Sequence, residues 1–423
     1  MPPISDPRAF LEKLFYAAVA AADPDKALVA HLPEKPKGRT VVVGAGKGAA
    51  QMARAFERLW DAPLSGVVVT RYGYAVPCER IEVLQAAHPV PDESGLLAAE
   101  RLMAAVGDLT EDDLVVALVC GGGSALLPAP AGDLTLADEI AVNRTLLASG
   151  APISAMNAVR KQVSRIKGGR LAALAYPARV VSLVVSDIPG DNPALVASGP
   201  TIADTATRDE ALEIIGRYRL DLPETVTRHI ANGMDKPPLP SDPRFARNEV
   251  KLVASAAIAL EAAAGVARNA GVEPIILSDA IEGEASEVGR QHAEIVAKIS
   301  KRGLVSQSPV LVLSGGETTV TIKGKGKGGR NSEFLLSLAC AMSGQEGISA
   351  LAADTDGIDG SEDNAGAFAD GTTVSRLAAR GEDARDFLDR NDSWSAFAAL
   401  GDLFVSGPTG TNVNDFRAIL LNR

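Results

Sequence analysis

A chain of 423 residues, 46% of them hydrophobic, has apolar material for two or three cores, and its formal net charge of −11 excludes nonspecific nucleic-acid binding and a polybasic membrane anchor. Aromatic residues make up only 4% while glycine numbers 40, which suits an α/β protein whose small residues let helices lie close to a sheet. Cys78, Cys120 and Cys340 are far apart with no CxxC spacing, which argues against a disulfide framework or a cysteine metal cluster. No apolar run approaches the roughly 20 residues needed to cross a bilayer. The opening Met1-Pro2-Pro3-Ile4-Ser5-Asp6 does not read as a signal peptide, so a cytoplasmic protein is expected.

In chain order, Asp6 and Pro7 read as the N-cap and first turn of an amphipathic helix to Ala22, with Phe10, Leu11, Leu14, Phe15 and Ala18 on one face. Thr40–Val43 is a short buried strand. It runs into a turn holding Gly44, Gly46 and Gly48 around Lys47, then into a helix from Gln51. Strands follow at Gly66–Thr70, Ile81–Ala86 and Leu114–Val119, with a helix Gly95–Val106 capped by Asp92 or Ser94. Helical sequence dominates Thr135–Ala175, including a helix Met156–Leu171, and a strand Val180–Val185 comes next. This alternation is the signature of a doubly wound parallel sheet. The Pro- and charge-rich Leu220–Arg247 reads as a domain boundary, giving domains 4–245 and 246–423. Beyond it a second alternating run has strands at Lys251–Ala254, Pro274–Leu277, Val310–Leu313, Ile348–Ala352 and Asp402–Val405. Its helices lie at Ala257–Ala270, Ala285–Lys301 and Asn331–Ala341, and Val320–Lys327 reads as a hairpin arm.

Ligands of open α/β sheets bind at the C-terminal ends of the strands, and unusual turns recur there. Gly44-x-Gly46-x-x-Ala49 matches a dinucleotide fingerprint, but the acidic residue expected about twenty positions on is replaced by Arg71, a residue that suits the 2′-phosphate of NADP. Lys47 opposes the helix dipole unless it meets negative charge, the alternative being a solvated helix-terminal lysine. Gly121-Gly122-Gly123 with Ser124 reads as an anion-binding nest, or as a helix cap with a flexible lead. Asn157, Arg160, Ser164 and Lys167 fall on one helical face, a candidate anion-binding stripe. Asp187 and Asp191 straddle Pro189-Gly190, where carboxylates hold Mg²⁺ or serve a hydroxyl as general base. In the second half Ser314-Gly315-Gly316-Glu317-Thr318, the acidic loop with Asp354, Asp356 and Asp359, and the basic Lys323–Asn331 are further candidates, the last a phosphate clamp in outline. His88 lies near this edge, and the four histidines are otherwise scattered.

Taken together, Val43-Gly44-Ala45-Gly46-Lys47, His88-Pro89-Val90-Pro91-Asp92, Gly121-Gly122-Gly123-Ser124-Ala125, Ser186-Asp187-Ile188-Pro189-Gly190-Asp191, Ser198-Gly199-Pro200-Thr201, Gly329-Arg330-Asn331-Ser332-Glu333 and Asp354-Thr355-Asp356-Gly357 resemble, in this order and over the whole chain, the class II glycerate kinases with a C-terminal MOFRL domain. The resemblance implies a two-domain α/β fold, an N-terminal Rossmann-like parallel sheet and a C-terminal α/β domain, with the active site in the cleft between them. It implies ATP-dependent phosphorylation of D-glycerate at its 2-hydroxyl with Mg²⁺ or another divalent cation, giving 2-phosphoglycerate. Members of that family have often been labelled hydroxypyruvate reductases. Lys47, Asp187 and Arg330 match the family's catalytic candidates. Gly44, Gly46, Gly121, Gly122, Gly123, Ser124, Arg160, Lys167, Asp191, Gly315, Gly316, Glu317, Asn331 and Asp356 are candidate substrate or phosphate ligands, with Asp187 and Asp191 as candidate metal ligands. ATP and D-glycerate are the expected partners, with no nucleic acid or membrane, and a homodimer is compatible with the reading. An NAD(P)H-dependent hydroxypyruvate reductase and a noncatalytic sugar-acid or nucleotide sensor are the competing readings.

Overall fold

In a computed structural model, residues 3–233, 236–301 and 308–422 are described. Runs of β-branched and small residues form the first sheet, with strands β1 Thr40–Ala45, β2 Ser65–Arg71, β3 Ile81–Ala86, β4 Leu114–Val119, β5 Arg179–Val185 and β6 Glu249–Ala254 in the order β3-β2-β1-β4-β5-β6. The β1–β2, β1–β4, β2–β3 and β4–β5 pairs are parallel. Every residue of β1 and β4 is buried, as expected where helices cover both faces of a parallel sheet. The strand order reverses direction between β1 and β4, the switch point at which such sheets bind ligands. The turns leaving these two strands, at residues 44–48 and 120–124, are therefore set side by side.

The second sheet comprises β7 Glu273–Ile276, β9 Val310–Gly316, β11 Ile348–Asp354, β12 Gly366–Asp370, β13 Leu403–Phe404 and β14 Asp415–Leu421, and the short strands β8 Gly283–Glu284 and β10 Thr318–Thr319 pair apart from it. Its order is β13-β12-β11-β14-β9-β7; only β7–β9 is parallel and the other four pairs are antiparallel. The central β14 is absent from the sequence reading: Phe416, Ala418 and Leu420 alternate with Arg417, Ile419 and Leu421, so no period-2 polar face betrays it. Arg417 is nevertheless buried there.

The packing divides the chain into two compact units, Pro24–Val253 and a second one that joins the N-terminal residues as far as Asp23 to Ala254 and beyond. The sequence places the boundary near residue 245. β6, just beyond that boundary, also stays with the parallel sheet: it lies at the edge beside β5, and Asn248 Oδ1 accepts from the Val180 N–H at 3.0 Å. The helix Pro7–Ala22 forms as its sequence demands, capped by Asp6 accepting from the Ala9 N–H, and belongs to the second unit. Phe15 sits edge-on to Phe404 and Phe416, with ring centroids 5.0 and 5.9 Å away. Arg8 pairs with Asp402 at 3.2 Å over the Phe368 ring.

Two local expectations are corrected. The helix expected over Met156–Leu171 ends at Gln162, where residues 163–165 pair with residues 129–131 (Ala131 N–H to Val163 O, Arg165 N–H to Ala129 O), and a short one restarts at Arg170 after Gly168 and Gly169, at left-handed φ of 65° and 82°. Val320–Lys327 forms no hairpin: Asn391 Oδ1 accepts from the Lys323 and Gly324 N–H groups, and Asp392 from that of Lys327. Among the described residues no helix is long and apolar enough to cross a membrane.

Replacing the fully buried Phe15 by Ala removes its contacts with β13 and β14 and should cost about 3–5 kcal/mol. Hydrogen-exchange mass spectrometry should show the loss of protection in β12, β13 and β14 while β1, β4 and β5 keep theirs.

Candidate active site

The turn after β1 is built by close packing. A Cβ on Gly44 would lie 2.5 Å from the Leu118 carbonyl oxygen. Gly46, at φ +139°, has its Cα against Cys120, where a Cβ would lie 2.4 Å from both the carbonyl oxygen and Sγ. The turn's N–H groups are all used internally. Gly46 donates to Val69 O at 3.2 Å, Lys47 to Gly121 O at 2.8 Å, Gly48 to Cys120 Sγ at 3.2 Å and Ala49 to Gly46 O at 3.1 Å. A phosphate cradle needs such groups unoccupied. Gly44 and Gly46, expected as phosphate ligands, are required instead for interstrand fit, and the turn holds out the Lys47 side chain. Thr70 Oγ1, donating to Lys47 O at 2.9 Å, fixes it from the β2 side.

The second wall is the turn after β4. A Cβ on Gly121 would lie 1.8 Å from Asp187 Oδ2, so that carboxylate lies directly against the glycine. Gly122 takes φ +79°, and a Cβ there would lie 3.1 Å from both His88 Nε2 and Lys47 Cγ. Lys47, His88 and Asp187 thus converge on Gly121–Gly122. Gly123 packs on Ala45 and Ala197. Ser124 Oγ lies 2.7 Å from Ser198 Oγ; because Ser198 donates to Asn157 Oδ1 at 2.8 Å, Ser124 donates to Ser198. Ala197, Ser198 and Gly199 follow one another at φ 52°, 60° and 60°, and Asp191 also has a positive φ of 52°. Left-handed backbone at a non-glycine residue costs about 1–3 kcal/mol, and such strain gathers at functional sites.

The expected basic stripe does not form. Lys167 is 1% exposed; its ammonium donates to Glu139 and to Leu127 O, and burial pulls its pKa down. Arg160 is 9% exposed and burial lowers it to about 10. Its guanidinium donates to Asn143 Oδ1 at 2.8 Å and Asn157 Oδ1 at 3.3 Å, and Asn143 in turn donates to Pro89 O at 2.7 Å. Both cations are internal ties.

In the other unit Arg330 opens the helix Arg330–Ala341 and meets three carboxylates: Nε donates to Asp415 at 2.7 Å, Nη1 to Glu317 at 2.9 Å and Nη2 to Asp354 at 2.6 Å. Burial opposes its charge, yet these carboxylates hold it above the ordinary arginine range. Asp415 also accepts from Asn331 Nδ2 at 2.8 Å and from the fully buried Arg417. Burial, then Asp356, pushes the Asp354 carboxyl well above its usual range. The N–H groups of Asn331 and Ser332, expected as part of a phosphate clamp, are taken by the Asp359 carboxylate at 2.9 and 2.8 Å. Gly316, at φ +118°, presses on Ile281, and the Gly315 N–H donates to Ser278 O, so these glycines too serve packing. Ser314 is bound by the buried His292, whose Nδ1–H donates to Val288 O at 2.8 Å while Nε2 accepts from Ser314 Oγ at 2.9 Å.

Family models match residues 10–231, as the domain of unknown function DUF4147, and residues 310–415, as the MOFRL family. The chain is 39% identical to a D-glycerate 2-kinase of Thermotoga maritima over 94% of each sequence. A crystal structure of a glycerate kinase from Thermotoga maritima superposes with a TM-score of 0.89 at 37% identity, covering 98% of this chain and 99% of that one. A protein of Agrobacterium vitis, provisionally named a hydroxypyruvate reductase, is 54% identical over 98% of this chain and 94% of its own length. This chain belongs to the class II glycerate kinase family.

It is accordingly a kinase, and its family's MOFRL segment carries the Arg330 cluster. Of the residues singled out by sequence, Lys47, Asp187 and Gly121–Gly122 come together in one unit, and Arg330, Asn331, Glu317, Asp354 and Asp356 in the other. Within the kinase fold, Glu139, Asn143, Asp415 and Arg417 support these groups and escaped the sequence reading, whereas Asn157, Ser198 and Asp359, already singled out by sequence, also act as supports. Only Asp415-x-Arg417, two opposite charges on one face of an apolar strand, left a signal. Among the described residues no group of three or more His, Cys, Asp or Glu side chains is gathered as a metal site.

Glu139→Gln should leave Lys167 as an uncompensated buried charge and cost about 3–5 kcal/mol, read by denaturant unfolding. Burial lowers His292 to about 4, below its unfolded value near 6.5. The unfolded state therefore binds the extra proton between these values, and stability falls as pH drops from about 6.5 toward 4. His292→Gln should flatten that part of the stability–pH curve.

Proposed function

We propose that the protein transfers the γ-phosphoryl group of ATP to the 2-hydroxyl of D-glycerate, giving 2-phosphoglycerate and ADP. The observation that carries this reading is the turn after β1. Its N–H groups are all internally bonded, so it presents an ammonium group to the ligand and no pyrophosphate cradle. Phosphoryl transfer depends on positioning and on charge neutralisation rather than on covalent chemistry by the protein. Lys47, on its rigid mount, offsets charge on the transferring group. Asp187, fixed against Gly121, orients the 2-hydroxyl and accepts its proton. Arg330, in the other unit, is a further candidate cation, set in direction by Asp415, Asp354 and Glu317. The relatives named for D-glycerate 2-kinase activity support the substrate and the position of transfer.

A divalent cation entering with ATP keeps water and phosphate oxygens and needs only one or two protein carboxylates. Asp191, with Asp187 on the same turn, provides hard oxygen donors of that kind, and Mg²⁺ would neutralise phosphate charge there.

The reductase reading lacks both the phosphate-binding N–H groups and the ribose-binding acid, since β2 ends in Arg71, which is stacked on Tyr74 at 4.1 Å. ADP release with D-glycerate, and a 2-phosphoglycerate signal in ³¹P NMR, test the proposal against NAD(P)H oxidation with hydroxypyruvate. Lys47→Ala and Asp187→Asn should each lower kcat by about 10²–10⁴-fold. Near-wild-type turnover in both would reject these roles.

A further inference from the structure

His88 stands beside the Lys47–Asp187 arrangement without a role in the transfer itself. Its Nε2 lies beside Gly122 Cα, across from the Lys47 stem. Among the described residues neither ring nitrogen has a hydrogen-bond partner, although the ring is half-buried. The segment that carries it is pinned on both sides. Before it, the Ala87 N–H donates to Asp92 Oδ1 at 3.2 Å, and Tyr72 Oη donates to the same carboxylate at 2.8 Å. After it, the Pro89 carbonyl accepts from Asn143, which the buried Arg160 guanidinium holds from behind. Arg160 also reaches Asn157, and through Asn157 the Ser198–Ser124 pair. One buried cation thereby ties the His88 segment to the turn that His88 faces. An imidazole held this firmly, with both nitrogens unpartnered, is preorganised for something other than protein.

We propose that His88 is a substrate-binding residue that hydrogen-bonds the 3-hydroxyl of glycerate and so selects this hydroxy acid over analogues lacking that group. The inference rests on the glycerate kinase reading and deepens it. Burial, then the charges of Lys47 and Arg71, lower His88 to about 4, so the ring is neutral at physiological pH. A neutral imidazole offers one donor and one acceptor, which matches a hydroxyl and does not match a carboxylate or phosphate. The anionic parts of the ligand have Lys47 for a partner, and the 2-hydroxyl has Asp187. The 3-hydroxyl is the group left to a neutral partner. A site built to bond a hydroxyl discriminates strongly against the molecule without it, because its own polar groups are then left unpaired.

The test is a coupled ADP-release assay on the full chain with wild type, His88→Ala and His88→Asn, together with competitive inhibition by D-lactate, which carries hydrogen where glycerate has its 3-hydroxyl. His88→Ala should raise the KM for D-glycerate at least tenfold, leave the KM for ATP within twofold, and leave the D-lactate inhibition constant unchanged. His88→Asn, which keeps a donor and an acceptor, should recover a large part of the loss. The proposal is overturned if His88→Ala leaves the glycerate KM unchanged, if it weakens D-glycerate and D-lactate alike, or if the ATP KM rises with the glycerate KM. Absence of ADP release by the wild type would instead reject the kinase reading, so the two failures are separable.

Discussion

The lock between the turn after β1 and the turn after β4 is the constraint on which the parallel-sheet unit depends. Gly46 presses on Cys120, the Lys47 N–H reaches Gly121 O, and Gly123 fits against Ala45. None of these contacts leaves room for a side chain, so strand order and loop sequence are fixed together. The lock also defines Cys120. It is fully buried, and burial pushes its thiol up to about 12, which makes it a packing surface and a hydrogen-bond acceptor rather than a nucleophile. From the lock projects the Lys47 ammonium, while the Asp187 carboxylate and the His88 imidazole, carried by the segments after β5 and β3, lie against its glycines.

Both units treat their cations alike. Arg160, Lys167 and Arg417 are buried and each is tied to carboxylate, amide or carbonyl oxygens, whereas Lys47 and Arg330 retain some exposure. Buried ion pairs are weak evidence for stability, because desolvation offsets much of the attraction. Their role here is geometric. Glu139 joins Lys167 to the backbone of Ala129, and Asp415 gathers Arg330, Asn331 and Arg417 on a single carboxylate. Asp359 provides the anion that the helix Arg330–Ala341 needs at its N-terminus, so this dipole is satisfied from within.

Most of the parallel sheet was legible in the sequence because its central strands are apolar, valine-rich runs ended by glycine or a turn, as Thr40–Gly44 and Leu114–Gly121 show, whereas β6, with Glu249 and Lys251, was read into the second half. Lys47 and Asp187 stood out because their charges sit where strand ends meet loops. Position alone could not say whether a basic residue faces solvent or core, and this is why Arg160 and Lys167 were read as a surface stripe. The partners that decide the matter, Glu139 and Asn143, lie in a different helix. β14 escaped because it is buried on both faces, and apolar continuity does not distinguish such a strand from a helix. Loop function was the least legible: Lys323–Gly329 has the composition of a mobile basic arm, yet Asn391 and Asp392 hold it by its backbone.

The closed hydrogen bonding of the first turn bears on how such proteins are sorted by name. A pattern of glycines at fixed spacing records where the backbone is crowded, but it is silent on whether its amides face a cofactor or another strand. In this chain the amides face protein, and the Lys47 N–H, 2.8 Å from the Gly121 oxygen, is one of four so engaged. A chain with that bond formed has closed the cradle before any nucleotide arrives.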